Sequence, residues 1–405
     1  MGKFVPGNVP EIDRLVEDAI GQIGSEIASL RIPRLAGVVL GGGYGRGEGG
    51  VRESLKFGVC SLQSGDGERL QTSEAQLQTA KSLKFGVCSL QSGDGERLQT
   101  SEAQLQTANC KLQTLSNDLD FYVVTEEGAS EADIERIGKM LEPISEEWTA
   151  KLGIDVDFCR AKTPWRLKHD EERLMIQELI HGYVDVFGKR GEELFAHIRR
   201  LEPGELPWSE AVRLLMNRGA GLLLAAEKMA DAQAPRTSGS SSLPQTSQTS
   251  QTSQTSQTSQ TSQTFINRNI NKCVLGAGDA RLIAEGRYRW RIDERAEALG
   301  DRLYSKAVEW KLHPKDEPIC SWDTARDVWL DAFDRHVKTA KGREAARARP
   351  SLRHALRWIV RRRTLGDMRT FGMMPESRVV FAMRSVIAQR APFPDALKKD
   401  WMIFN

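Results

Sequence analysis

Three short stretches hold residues whose types and spacing suit chemistry. In SNDLDFYVV, Asp118 and Asp120 stand at i and i+2 of a strand-like run, so both point to one face, about 7 Å apart along the backbone. In IDVDFC, Asp155 and Asp157 repeat that spacing, with Val156 and Phe158 on the opposite, buried face. Upstream, the apolar run LAGVVL opens into GGGYGRGEGG. Glycines after a strand leave N–H groups bare and φ unrestricted, which suits the close approach of a phosphate. Carboxylates converging from adjacent strands suit a pair of Mg²⁺ ions, with Mn²⁺ as a substitute, that clamp the attacking and leaving oxygens of phosphoryl or nucleotidyl transfer. The amides of the turn, at a helix start, would then hold the β- and γ-phosphates of a nucleotide.

These residues need a scaffold, and hydrophobic periodicity supplies one. Ile12, Leu15, Val16, Ile20, Ile23 and Ile27 follow helical spacing over 11–30. A strand at 36–40 leads into the glycine turn, and a second strand covers 119–124. A helix over 130–151 follows, with Ser130 and Asp133 as its N-cap pair and Ile134, Ile137, Leu141, Ile144 and Trp148 on one face. A strand at 154–159, a helix near 170–181 and a strand at 183–187 complete an alternating α/β unit. Beyond Trp208 the apolar period is helical throughout, near 209–232, 266–286, 293–311, 322–340, 352–364 and 376–389.

Two segments stand outside this pattern. SLKFGVCSLQSGDGERLQTSEAQLQTA occurs at 54–80 and again, identically, at 82–108. Solenoid units keep their core and let the surface drift, and about three are needed to close a core. Two perfect polar copies read instead as an expanded, loosely packed insertion over 53–115. The tract QTSQTSQTSQTSQTSQTSQT at 245–264 is too polar to offset its ordering entropy and reads as part of a flexible loop over 235–264.

Composition narrows the function classes. The chain has 405 residues, 40% apolar and 28% charged, with a net charge of +2, which is ordinary for a soluble enzyme of two or three domains. That balance gives no global attraction to nucleic acid or an acidic membrane. The six cysteines form no CxxC pair, which argues against structural zinc and a disulfide scaffold and for a reducing compartment. No apolar run approaches membrane-span length, and the N-terminus has no apolar leader core, so the expectation is a cytoplasmic protein with no membrane partner. The six histidines show no metal-site or triad-like spacing.

GGYGRGE from Gly42 to Glu48, then SNDLD, then a strand with a further acidic residue, resembles the nucleotidyltransferase superfamily of DNA polymerase beta type. Smaller bacterial members, including aminoglycoside nucleotidyltransferases and minimal antitoxin-type transferases, commonly carry Gly-Ser-x-Ala-Arg-Gly-Glu, and Gly42, Gly43, Arg46, Gly47 and Glu48 match that string. The resemblance covers roughly 36–190 without the insertion. It implies an α/β (α+β) nucleotidyltransferase domain with a small mixed sheet over 1–190, followed by an all-helical bundle domain over 191–405. It implies an NTP, ATP foremost, as donor, a hydroxyl-bearing acceptor, and two Mg²⁺ held by Asp118, Asp120 and a third acid. Asp118, Asp120 and Asp155 would be catalytic and metal-binding, and Gly42, Gly43, Arg46 and Gly47 would bind the nucleotide. Two departures stand out: Gly43 replaces a common serine, and the whole insertion separates Gly47 from Asp118. Lengthening a loop costs only about 0.6 kcal/mol per doubling, so the fold tolerates it, whereas an insert beside the site can silence a nucleotide-binding relative.

Several assignments stay open in sequence. Asp155, nearer the strand start, is preferred over Asp157 as third ligand, with Asp157 retained as a metal candidate. Arg46 suits a phosphate oxygen or a surface salt bridge with Glu48. Asp185 reads as a solvated strand-face acid. In NRNINKCVLGAGDARLIAEGRY, the polar residues Asn267, Arg268, Asn271, Asp279 and Arg281 suit either an acceptor pocket or buried pairs between helices. The basic stretch 335–363 suits either a solvated face or nucleic-acid phosphates, and the latter would fit a transferase acting on an RNA end.

Overall fold

The computed structural model describes residues 2–7, 9–56, 110–233, 251–338 and 375–404. Residues 1–52 and 113–405 form one compact unit, and 53–112 form a second. The described chain is mixed α/β, mostly helical, with a small mixed sheet.

Helix α1 (Pro10–Leu30) opens the larger unit with proline at its first position, where a missing N–H costs nothing. Strands β1 (Leu35–Leu40), β4 (Leu119–Thr125), β5 (Val156–Phe158) and β6 (Val184–Gly188) form one sheet in the order β5-β4-β1-β6. β1 runs antiparallel to β4 and β6, and β4 runs parallel to β5. β2 (Val51–Lys56) and β3 (Cys110–Leu115) pair with one another in a separate two-stranded sheet, so both ends of the segment expected to be loosely packed are regular strand. The body of the duplicated segment, 57–109, lies outside the described residues.

Alternation along β4 sets the layers. Leu119, Phe121 and Val123 point into a core shared with α1 and with α3 (Glu131–Leu152). The other face carries Asp120, Tyr122 and Val124. There Val39, Val124, Ile176 and Leu179 form a second core with α4 (Pro164–His169), α5 (Leu174–His181) and α6 (Gly191–Leu194). The expected cap of α3 is present: Asp133 N–H donates to Ser130 Oγ at 3.2 Å, and Ser130 N–H to Asp133 Oδ2 at 2.9 Å. Such a box contributes about 1 kcal/mol.

The rest is helical. α7 (Trp208–Gln233) packs along α8 (Gln251–Ala284), and α9 (Ile292–Leu299), α10 (Arg302–Leu312), α11 (Trp322–Lys338), α12 (Pro375–Ala388) and α13 (Asp395–Phe404) complete the set. Trp329 is fully buried between them, its indole N–H donating to the Leu215 carbonyl at 2.8 Å. Leu174 of α5 belongs to this helical core, so packing is continuous across the boundary that periodicity suggests near residue 190.

Three expectations differ from what is observed. The Gln-Thr-Ser tract is helical from Gln251, because it contains no glycine or proline and runs directly into the buried segment after Phe265. The single helix expected over 293–311 is two, since Gly300 adopts φ +63 and Asp301 caps α10 by accepting from Leu303 and Tyr304 N–H. α13 was not indicated by periodicity. The helix expected over 352–364 lies outside the described residues.

Candidate active site

The glycine turn is seated directly on the acidic strand. After β1 the chain makes a four-residue helical turn, α2 (Gly42–Gly45), and the Gly41 N–H donates to the Asp120 carbonyl at 2.9 Å. Gly42 has φ +62, and a methyl there would strike the Asp120 carboxylate, so both conformation and space demand glycine. A Cβ at Gly43 would sit 3.1 Å from the Glu48 carbonyl oxygen, tight for the serine common in the family string. The first amides of the turn, Gly42 and Gly43, have no intrahelical acceptor. Tyr44, fully buried, fastens the turn: its hydroxyl donates to Gly50 O at 2.7 Å and accepts from Ser116 N–H at 3.2 Å, and burial pushes its ionisation up to about 12.

Parallel pairing places Asp120 opposite Asp157 on the same face of the sheet. Burial raises the Asp120 carboxyl to about 6, and the charges of Asp118 and Asp157 add to the rise, while Lys272 and Arg46 oppose it. Asp118 is ion-paired with Arg268. Asp155 precedes β5; its carbonyl accepts the Leu119 N–H at 2.9 Å and its side chain is exposed. Gly42, Gly43, Arg46, Asp118 and Asp120 line a cavity of about 560 Å³. Gly47, with φ +72, and the two acids of the β5 segment, Asp155 and Asp157, are not among its lining residues.

Among the described residues no group of three or more His, Cys, Asp or Glu side chains is gathered closely enough to hold a metal ion by itself. Mg²⁺ is usually bound through one or two carboxylates together with substrate phosphates rather than by an all-protein cage. Asp118 and Asp120 fit that mode, and the crowded charge on Asp120 is what a bound cation would relieve.

The opposite wall comes from α7 and α8. Asn267, Arg268, Asn271, Lys272 and Asp279 all line the same cavity, one helical face turned toward the acidic pair. Some of these also hold helices together: Asn271 Nδ2 donates to the Ala307 carbonyl at 3.2 Å, and the Tyr304 hydroxyl to Asp279 Oδ1 at 2.6 Å. Arg281 pairs instead with Asp301 at 3.7 Å. Burial, then Arg268 and Arg218, push Lys272 down to about 8 against the pull of Asp118 and Asp120. Arg218 reaches the cavity over Gly276, where any Cβ would collide with it, and its buried Nε has no hydrogen-bond partner.

Around Arg46 lies an ion network that the sequence expectation held only as an Arg46–Glu48 pair. Arg46 lies 3.4 Å from Glu48 and 3.5 Å from Glu178, so its pair with Glu48 is buried, not a surface bridge. Glu48 Oε1 accepts the Ile292 N–H at 2.7 Å, holding the start of α9. Arg295 lies 3.1 Å from Glu178, 3.5 Å from Asp279 and 4.0 Å from Glu48, and Lys311 lies 3.6 Å from Glu48. Burial alone would raise Glu178, but Arg46 and Arg295 outweigh it and hold the carboxyl down at about 2. Burial pushes Lys311 down to about 8 even with Glu48 beside it.

Arg218, Lys272, Glu178, Arg295 and Lys311 were not singled out in sequence. One signal was present: Arg268 and Lys272 are like charges at i, i+4 of a helix, an unfavourable pairing unless an anion faces them. Asp185 is exposed as expected, and it accepts the Gly191 N–H at 2.7 Å. Most of the basic stretch 335–363 lies outside the described residues. No helix among the described residues is long and apolar enough to cross a membrane, and Cys159, Cys273 and Cys320 carry free thiols. No protein-family model, curated protein or solved structure matches this chain.

Proposed function

We propose that the chain is a metal-dependent nucleotidyltransferase that moves a nucleoside monophosphate from an NTP, ATP foremost, to an acceptor hydroxyl and releases pyrophosphate. The observation that carries the reading is the seating of the glycine turn on Asp120, with φ-positive Gly42 leaving room only for that carboxylate and Asp118 and Asp157 alongside. In this reading residues 36–190 form the transferase portion, and the helices after Trp208 supply the facing wall.

Two Mg²⁺ or Mn²⁺ ions at Asp118 and Asp120 would supply charge neutralisation for the attacking and leaving oxygens. The amides of Gly42 and Gly43 bind non-bridging phosphate oxygens, and Lys272 and Arg218 balance the triphosphate charge from across the cavity. The acceptor oxygen attacks the α-phosphorus, the bond to the β-phosphate oxygen breaks, and pyrophosphate leaves with that oxygen. Asp157, paired with Asp120 in register though outside the cavity lining, is our candidate to take the acceptor proton. Asp155 is the alternative, and Asp155→Asn against Asp157→Asn separates the two.

A second reading, nucleotide binding without transfer, is favoured by the ion pair that Arg268 makes with Asp118. Incubation with Mg²⁺ and labelled NTPs decides between them. Transfer requires pyrophosphate release from the wild type that falls about 10³-fold in Asp120→Asn, since a lost metal ligand removes several kcal/mol from the transition state. Equal signals from both proteins, with nucleotide still retained, leave only the second reading.

A further inference from the structure

A second cavity, about 1040 Å³, adjoins the first, and Leu174, Met175, Glu178, Leu214 and Arg218 line both. It lies at the upper end of the range of about 300–1,000 Å³ typical of small-ligand pockets. Six Lys or Arg against four carboxylates line it, with Arg160 paired to Glu131 and Arg213 to Glu210, so the excess of two cations falls around Asp170 and Arg218. Asp170, almost fully buried, is shared by three cations: Arg166 at 3.1 Å, Arg173 at 3.4 Å and Lys162 at 3.5 Å. Burial and the neighbouring Arg173 and Arg166 charges drive Lys162 below its ordinary value despite Asp170. Arg218 adds a further cation whose buried Nε has no acceptor.

The rim carries the other half of the signature. Trp165 is 67% exposed, an unusual position for an indole, and it is pre-stacked: its ring lies parallel to His169, centroids 5.4 Å apart and planes within 2°. A rigid aromatic platform beside a cationic trough that leads to a reactive centre matches the way single-stranded nucleic acids are held, with bases on aromatic faces and phosphates on Lys and Arg.

We infer that the acceptor is the end of a single-stranded nucleic acid. A base stacks on Trp165, the adjoining phosphodiesters lie along Lys162, Arg166 and Arg173, and the terminal hydroxyl passes Arg218 toward Asp120. This rests on the transferase reading for its chemistry, but the docking surface is testable without it.

Fluorescence anisotropy of a labelled single-stranded dodecamer, in ribose and deoxyribose forms, on the full chain is the test. Trp165 is exposed, so Trp165→Ala leaves the fold intact, with thermal melting as the check. It weakens binding of at least one oligonucleotide form by about 5- to 150-fold, the effect of one lost stacking contact. Arg166→Gln lowers the slope of log K against log salt by about 0.7, one phosphate on a single strand. A duplex of the same sequence, whose bases are not free to stack, binds more weakly and is indifferent to Trp165→Ala. Affinity unchanged in both variants overturns the inference, even if the chain retains the oligonucleotide through residues such as 361–363. Loss of docking in the variants with pyrophosphate release absent from the wild type removes the transferase reading and leaves the surface. Release without oligonucleotide binding does the reverse.

Discussion

In the buried network, Glu48, Glu178 and Asp279 face Arg46, Arg295 and Lys311, and each has an opposite charge within 4.0 Å. At the acidic strand beside the same glycine turn, Asp120 has Asp118 and Asp157 for neighbours, and Lys272 lines the same cavity at a depressed pKa. The first group is compensated, fixing the turn to α5, α9 and α10, although five of its members also line the cavity. In the second, Arg268 pairs with Asp118, while the Asp120 carboxyl keeps like charges for neighbours at the cavity wall. Matched buried charge holds a structure in register, whereas mismatched charge stores a cost that a ligand of the right sign relieves.

The comparison predicts opposite stability responses. Arg295→Ala leaves Glu178 and Asp279 buried beside an empty space, and the urea midpoint falls by the equivalent of about 3–5 kcal/mol. Asp120→Asn removes a charge that burial and like neighbours disfavour, so the midpoint holds or rises while any transfer is lost. A fall in stability for Asp120→Asn would place that carboxylate among the structural ions and erase the distinction.

Acid titration sharpens it next. The folded Glu178 carboxyl titrates at about 2 against an ordinary 4.5, so the unfolded chain takes up the proton first as pH falls. Its contribution is complete above pH 4.5 and is lost as pH drops toward 2, on the order of 3 kcal/mol. Urea melts of wild type and Glu178→Gln should converge across that window. Curves that stay parallel would show that Arg46 and Arg295 do not hold this carboxyl down.

The smallest effect tests the join between the two regions. Gly42→Ala strains a φ of +62 and pushes on Asp120, costing about 1–2 kcal/mol in the melt. Nucleotide retention should fall as well, because the strained turn no longer rests on β4. Unchanged retention would detach the turn from ligand binding.

Much of this was legible from local pattern. The strands at 36–40 and 119–124, the capped helix after Ser130 and the same-face placement of Asp118 with Asp120 follow from periods of 2 and 3.6 and from capping chemistry, which are properties of neighbouring residues. The Gln-Thr-Ser tract was misjudged because low hydrophobicity signals missing packing but does not forbid a helix continued from a packed one.

Sequence by itself determined that a glycine turn, an acidic strand and a second acidic strand occur in order, because each is written in a few adjacent residues. Only the tertiary structure decided that Asp157 stands beside Asp120, that Arg46 and Glu48 form a buried pair at the cavity wall, and that α8 turns Arg268 and Lys272 onto the acids. Strand register and helix rotation are fixed by packing between segments far apart in the chain, and charge acquires its meaning from what burial places within a few ångströms of it.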